Sequence, residues 1–164
     1  MALSSWSRSG AAGVRQFRRN ICHPSRFRCA ARNDFVTRHQ VIVAEDNRVL
    51  QDVIRFNLVR AGFDVRTATE GGQVLQLLKE SPADLLITDC QMPGMSGLEL
   101  CIHLRSHPDY RDLPILFCTA KGLEIDPLTL QDLRLPAILC KPFSPRALIE
   151  KAHELIRESV VAAQ

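Results

Sequence analysis

Asp89 closes an apolar run, Leu85-Leu86-Ile87-Thr88, and precedes Cys90-Gln91-Met92-Pro93-Gly94. A carboxylate at the end of a buried strand is costly unless it is paired or used. Three other apolar runs end in chemically useful residues. Val41-Ile42-Val43-Ala44 leads into Glu45-Asp46-Asn47, Ile115-Leu116-Phe117-Cys118 into Thr119-Ala120, and Ala137-Ile138-Leu139-Cys140 into Lys141-Pro142-Phe143. Gathered at one edge of a parallel sheet, these positions supply three carboxylates, a hydroxyl and a lysine. Clustered carboxylates repel and tend to hold their protons, and a divalent cation removes the conflict. Hard oxygen ligands in a small site suit Mg²⁺, which binds through one or two carboxylates and keeps several waters. An aspartate so placed can attack a phosphoryl group and form an acyl phosphate. Lys141 would supply positive charge and Thr119 a hydrogen-bond donor for the phosphoryl oxygens.

Taken singly, each signal has a plain structural reading. Glu45-Asp46-Asn47 is also a helix-capping cluster, Thr119 a buried strand hydroxyl, Lys141-Pro142 a strand exit, and Asp89 a turn cap. Their joint occurrence at four strand ends carries the functional reading.

The elements that must position these residues follow from residue 41 onward, where short apolar runs alternate with helical patterns. The sequence predicts strands over 41–45, 63–68, 84–89, 113–119 and 137–141. It predicts helices over 48–61, 70–80, 97–106, 126–134 and 145–158. Asp126-Pro127 and Ser144-Pro145 each pair an N-cap with a proline at the first helical position. Gly62 stands where a left-handed C-cap residue is wanted. Leu148, Ala152, Leu155 and Ile156 form a stripe at helical spacing. The continuously apolar strands 41–44 and 85–87 fit a parallel sheet covered on both faces. Five βα units predict an α/β, doubly wound domain.

This constellation resembles the receiver domain of two-component response regulators (CheY-like, flavodoxin-like), over about Val41 to Arg157. The resemblance implies a five-stranded parallel sheet of order 2-1-3-4-5. It assigns Asp89 as phosphoacceptor, Glu45 and Asp46 as the acidic pair for Mg²⁺, Thr119 as the switch hydroxyl and Lys141 as the characteristic lysine. It adds the backbone carbonyl of Gln91 to the metal ligands. The implied function is phosphoryl acceptance from a histidine kinase or phosphotransfer protein, with a conformational change read by a partner. It is a signalling role rather than that of an enzyme. The segment Leu133-Arg134-Leu135-Pro136 lacks the family's common Ala-Gly-Ala turn, and Glu45 replaces the more usual Asp. Ile138 stands where the family often has an aromatic switch residue. Lys121 and Gln91 flank the expected path of attacking water, and their long side chains are expected to slow hydrolysis.

The 164 residues suffice for one domain of ordinary size. At 46% hydrophobic and 24% charged residues, the composition is that of a soluble globular protein. The net charge of +3 hides two unlike parts. Residues 1–40 hold eight arginines, no lysine and a single acid, Asp34, whereas the remainder is mildly acidic. The sequence thus divides into a basic extension (1–40), expected to be disordered, a receiver domain (41–158) and a short tail (159–164). A transit peptide and an arm for nucleic acid or an acidic membrane are the other readings of the extension. Nucleic acid is not expected elsewhere. Neither a secretory core segment nor a membrane span is present. The six cysteines show no CxxC spacing, and packing in a reducing, cytoplasmic compartment is the natural reading. His103 and His107 lie at i, i+4 but lack a third ligand, so a solvated helix face is expected.

The chain ends soon after the last predicted helix, so an effector is expected to act in trans. Its docking face would comprise helix 126–134, strand 137–141 and helix 145–158, with Leu130 and Ile138 as candidates. An aspartyl-phosphate hydrolase of the haloacid-dehalogenase type would need an acid two residues after the nucleophile, and Gln91 cannot serve. A degenerate, phosphorylation-independent binding module is the other alternative. Retention of all five site residues speaks against it. Phosphate-loop and dinucleotide motifs are absent.

Overall fold

The computed structural model describes residues 38–120 and 137–162. The first strand, β1 (Gln40–Ala44), leads into helix α1 (Arg48–Arg60). Then follow β2 (Asp64–Ala68), α2 (Gly71–Glu80), β3 (Leu85–Asp89), α3 (Gly97–Ser106), β4 (Ile115–Ala120), β5 (Ala137–Lys141) and α4 (Pro145–Ala162). The strands form one sheet of order β2-β1-β3-β4-β5. Every pair in it is parallel. The doubly wound α/β architecture expected from the sequence is therefore present. The predicted helix over 126–134, with its Asp126 cap, lies outside the described residues, as do the 1–40 extension up to residue 37, Lys121, Leu130 and the 133–136 turn.

The sheet divides the core into two layers. Val41, Val43, Leu85, Ile87, Leu116 and Cys118 face Ile54 and Leu58 of α1 and Leu148, Ala152, Leu155 and Ile156 of α4. Ile42, Ala44, Leu86, Ile115 and Phe117 face Val74 and Leu78 of α2 and Leu100, Cys101 and Leu104 of α3. Successive strand residues point to opposite faces, so helices on both sides explain the unbroken apolar runs. Burying each large side chain contributes about 1.5–3 kcal/mol.

Helix ends are set by local chemistry. Asn47 caps α1, its side chain accepting from the N–H groups of Val49 and Leu50 at 3.1 and 3.2 Å. At the other end Gly62 adopts φ +95°. Its N–H donates to Val59, and the Phe63 N–H donates to Leu58. This pair of bonds is a Schellman ending. It also explains why β2 starts at Asp64 rather than at Phe63. Ser144 accepts from Ala147 N–H at 3.1 Å, as its N-cap reading requires. Helix α4 runs four residues past the predicted end, through Ala162. Leu113 closes a turn onto Tyr110, so β4 begins later than predicted, at Ile115.

Candidate functional site

The loops at the carboxyl ends of β1, β3, β4 and β5 carry the chemistry. Glu45 directly follows β1, and its N–H donates to Ala68 at the end of β2. Asp89 is the last residue of β3, Thr119 the penultimate residue of β4 and Lys141 the last of β5. Lys141 Nζ lies 2.7 Å from Glu45 Oε2 and 2.6 Å from Asp89 Oδ2. Glu45, Asp46 and Asp89 each offer a carboxylate oxygen within 4.8 Å of the others. The structure thus brings together the two acids, the central aspartate and the lysine. Gln91 lies beside them, its N–H donating to Asp89 Oδ1 at 3.3 Å.

Burial differs sharply across the cluster. Glu45 is 2% exposed, whereas Asp46 is open to solvent. Burial pushes the Glu45 carboxyl above its usual value, and Asp89 and Asp46 add to the rise. The Lys141 ammonium opposes it without prevailing. Burial alone would lower Lys141, but its hydrogen bonds to Asp89 and Glu45 outweigh that effect and hold it above the ordinary lysine value. Three acids against one cation leave a surplus of negative charge. Their hard oxygen donors fit a small divalent cation.

Thr119 is 4% exposed, with its hydroxyl 3.4 Å from its neighbour's carbonyl on Ala120. Cys90 is also buried, and burial pushes its thiol up.

Two positioning residues escaped the sequence reading. Gln51 is buried in α1, and its amide donates to the Glu45 carbonyl at 2.9 Å and the Ala68 carbonyl at 2.7 Å. It thereby ties the helix to the ends of β1 and β2. Its signal was a polar residue on the apolar face with Ile54 and Leu58. Gly97 is the other: a Cβ there would lie 2.0 Å from the Asp89 carbonyl oxygen. Its N–H donates to Cys90 at 3.1 Å, closing the loop after Asp89. Gly94, with φ +69°, provides the left-handed residue within that loop.

His103 and His107 lie on or just beyond α3, and His107 is 3.8 Å from Asp109 and stacks on Tyr110. Among the described residues, Glu45, Asp46 and Asp89 form a group of acids close enough together to hold a metal ion. No helix there is long and apolar enough to cross a membrane.

A family model described as the response regulator receiver domain matches residues 41–153. Among solved structures, one assigned as a response regulator from Chloroflexus aurantiacus is 30% identical. The match covers 73% of this chain and 98% of that one, with a TM-score of 0.67. The chemotaxis response regulator CheY4 of Vibrio cholerae is 25% identical over 73% and 99% of the two chains, TM-score 0.66. The receiver domain of a sensor histidine kinase from Pseudomonas aeruginosa is 26% identical over 73% and 98%, TM-score 0.66. That structure holds a magnesium ion coordinated in its active site cleft.

Proposed function

The chain belongs to the response regulator receiver family, and on that premise we propose that Asp89 is the phosphoacceptor of a two-component phosphorelay. The donor would be a phosphohistidine on a histidine kinase or phosphotransfer protein. An Asp89 carboxylate oxygen forms the new O–P bond as the N–P bond of the donor breaks, and the freed imidazole takes up a proton. The observation that carries the reading is the double contact of Lys141 Nζ with Asp89 and Glu45, next to Asp46. Lys141 is already aimed at the oxygen-bearing edge where phosphoryl charge would arrive. Preorganised charge of this kind stabilises a transition state without reorganisation.

Glu45, Asp46, Asp89 and the Gln91 carbonyl would hold Mg²⁺. Bound there, it would supply the charge that lets the carboxylates stay ionised beside an anionic phosphoryl group. The Thr119 hydroxyl, at the end of β4 beside β3, would donate to a phosphoryl oxygen. The role is that of a signalling acceptor rather than an enzyme with a released product. Phosphorylation biases the domain only by its differential interaction with two conformations. A partner acting in trans would read the change at a face that includes β5 and α4. Ile138, 38% exposed on β5, belongs to that face.

The test is intact-mass measurement after adding Mg²⁺ and a small acyl-phosphate donor. A single phosphoryl adduct is expected, absent from Asp89→Asn and from metal-free samples. An adduct that persists in Asp89→Asn would overturn the assignment.

A further inference from the structure

We infer that Gln51 sets the affinity of the acid cluster for Mg²⁺, as a positioning residue that holds the backbone of Glu45. The inference rests on the receiver reading above. Glu45 stands one residue beyond β1, where the chain is leaving the sheet. Two hydrogen bonds fix it there. Its N–H donates to the Ala68 carbonyl at 3.1 Å, and its own carbonyl accepts from the Gln51 amide at 2.9 Å. The amide has a second proton, which goes to the Ala68 carbonyl at 2.7 Å. One side chain on α1 thus bridges the residue after β1 and the last residue of β2. The Gln51 N–H also donates to the Asn47 carbonyl at 2.9 Å, which fastens the helix turn that carries it.

The place of the amide is itself informative. Gln51 is 8% exposed, on the helix face that buries Ile54 and Leu58. A buried amide costs free energy unless its hydrogen bonds offset the lost hydration. Here those bonds go to the strand ends that carry the site. Gly71, three residues after Ala68, donates to the Met95 carbonyl at 3.1 Å, in the segment between Asp89 and α3. The end of β2 is therefore tied to Glu45 on one side and to the loop after Asp89 on the other. A cation shared by Glu45 and Asp89 needs their oxygens close together, and they lie within 4.8 Å of one another. Glutamate has a longer side chain than aspartate, with one more rotatable bond to order. Pinning both backbone polar groups of Glu45 removes freedom that cation binding would otherwise have to remove. Hydrogen bonds that hold a metal ligand from behind raise affinity in this way.

The experiment titrates Mg²⁺ calorimetrically into the full chain, well below its thermal midpoint. The set is wild type, Asp46→Asn, Gln51→Met and Ile54→Val. Asp46→Asn identifies the heat that belongs to the acid cluster. Gln51→Met, matched in length and without a donor, should weaken Mg²⁺ binding about tenfold, the low end of the range for groups that orient a ligand. Ile54→Val thins the same face of α1 within the core layer. It should lower the urea midpoint and leave the Mg²⁺ affinity as in wild type, which separates positioning from a merely structural role. If Gln51→Met does not fold, Gln51→Ala, which admits water onto the two carbonyls, takes its place with the same expectation. An unchanged affinity in the Gln51 variant, or an equal loss in Ile54→Val, would overturn the role. Absence of Mg²⁺ heat in wild type, or heat that Asp46→Asn leaves intact, would overturn the metal reading and this inference with it. Heat that Asp46→Asn removes and the Gln51 variant keeps at full affinity would overturn the inference alone.

Discussion

Lys141 Nζ and Asp89 Oδ2 stand 2.6 Å apart although 52 residues separate them. Glu45, 96 residues before Lys141, meets the same ammonium at 2.7 Å. Lysine thus serves as the internal cation of a cluster that would otherwise hold three unbalanced acids.

Removing that cation should expose the conflict. Breaking a buried pair by deleting one partner costs about 3–5 kcal/mol. The partial exposure of Lys141 and Asp89, 19% and 15%, reduces this. Lys141→Met is expected to lose roughly 2 kcal/mol in metal-free urea denaturation. Adding Mg²⁺ should recover more stability in this variant than in wild type, since a ligand of the native state stabilises by mass action. Equal Mg²⁺ responses in the two proteins would contradict this account.

The raised Glu45 carboxyl gives a pH dependence of definite sign. Its favourable contribution is complete below the unfolded glutamate value, about 4.3, and is lost as pH rises through the higher folded value. Metal-free Glu45→Gln should therefore gain stability relative to wild type as pH rises from about 4 to 7. Urea midpoints across that range measure it. Lys141 has the same sign at the other end of the scale. Its contribution is complete below about 10.4 and is lost as pH rises through its raised folded value.

Gly97 and Gly72 make a matched pair. Alanine at Gly97 would place a carbon 2.0 Å from the Asp89 carbonyl oxygen, so backbone must shift. A loss of about 3 kcal/mol is expected, with a disturbed loop after Asp89. Alanine at Gly72, in the first turn of α2, meets nothing nearer than the tip of Glu70 at 3.8 Å. It should be neutral or gain up to about 1 kcal/mol. Thermal or urea denaturation of both variants decides the matter.

The loop after Asp89 is also anchored by a capping box. Ser96 accepts from the Glu99 N–H at 3.3 Å, and Glu99 accepts from the Ser96 N–H at 2.9 Å. Ser96→Ala should cost about 1 kcal/mol. The Ser96 backbone and hydroxyl hold the Glu99 carboxyl below its usual value. Its contribution is present above the unfolded glutamate value and is lost as pH falls through the folded one. Denaturation of Glu99→Gln beside wild type should converge at low pH.

Thiol labelling probes the packing. Burial pushes Cys118 up to about 12 and Cys101 up to about 11. Cys140 is exposed. Among the described cysteines, native-state alkylation mapped by peptide mass should modify Cys140 first. Cys90, Cys101 and Cys118 should react only on unfolding. Early modification of Cys118 would show that β4 opens locally.

Much of this was legible in the sequence because it depends on short-range rules. Apolar runs of strand length fixed five strands, Asn47, Gly62 and Ser144 marked helix ends, and chemistry at four strand ends named the acids and the lysine. Boundaries moved where a local bond outranked the pattern, as when Phe63 bonded back to Leu58 and so could not start β2. Gln51 and Gly97 were missed because their roles exist only across space. One reaches two strand ends from a helix, and the other leaves room for a carbonyl eight residues earlier in the chain.

The sequence by itself determined which groups are present and the order in which strands deliver them, since alternation and capping are properties of neighbours along the chain. Only the tertiary structure decided that Lys141 bridges Glu45 and Asp89, and that Glu45 is buried while Asp46 is open. Those facts depend on sheet order and register. A parallel sheet brings distant segments to spacings of a few ångströms, and at those distances hydrogen bonds and desolvation set the charge on each group.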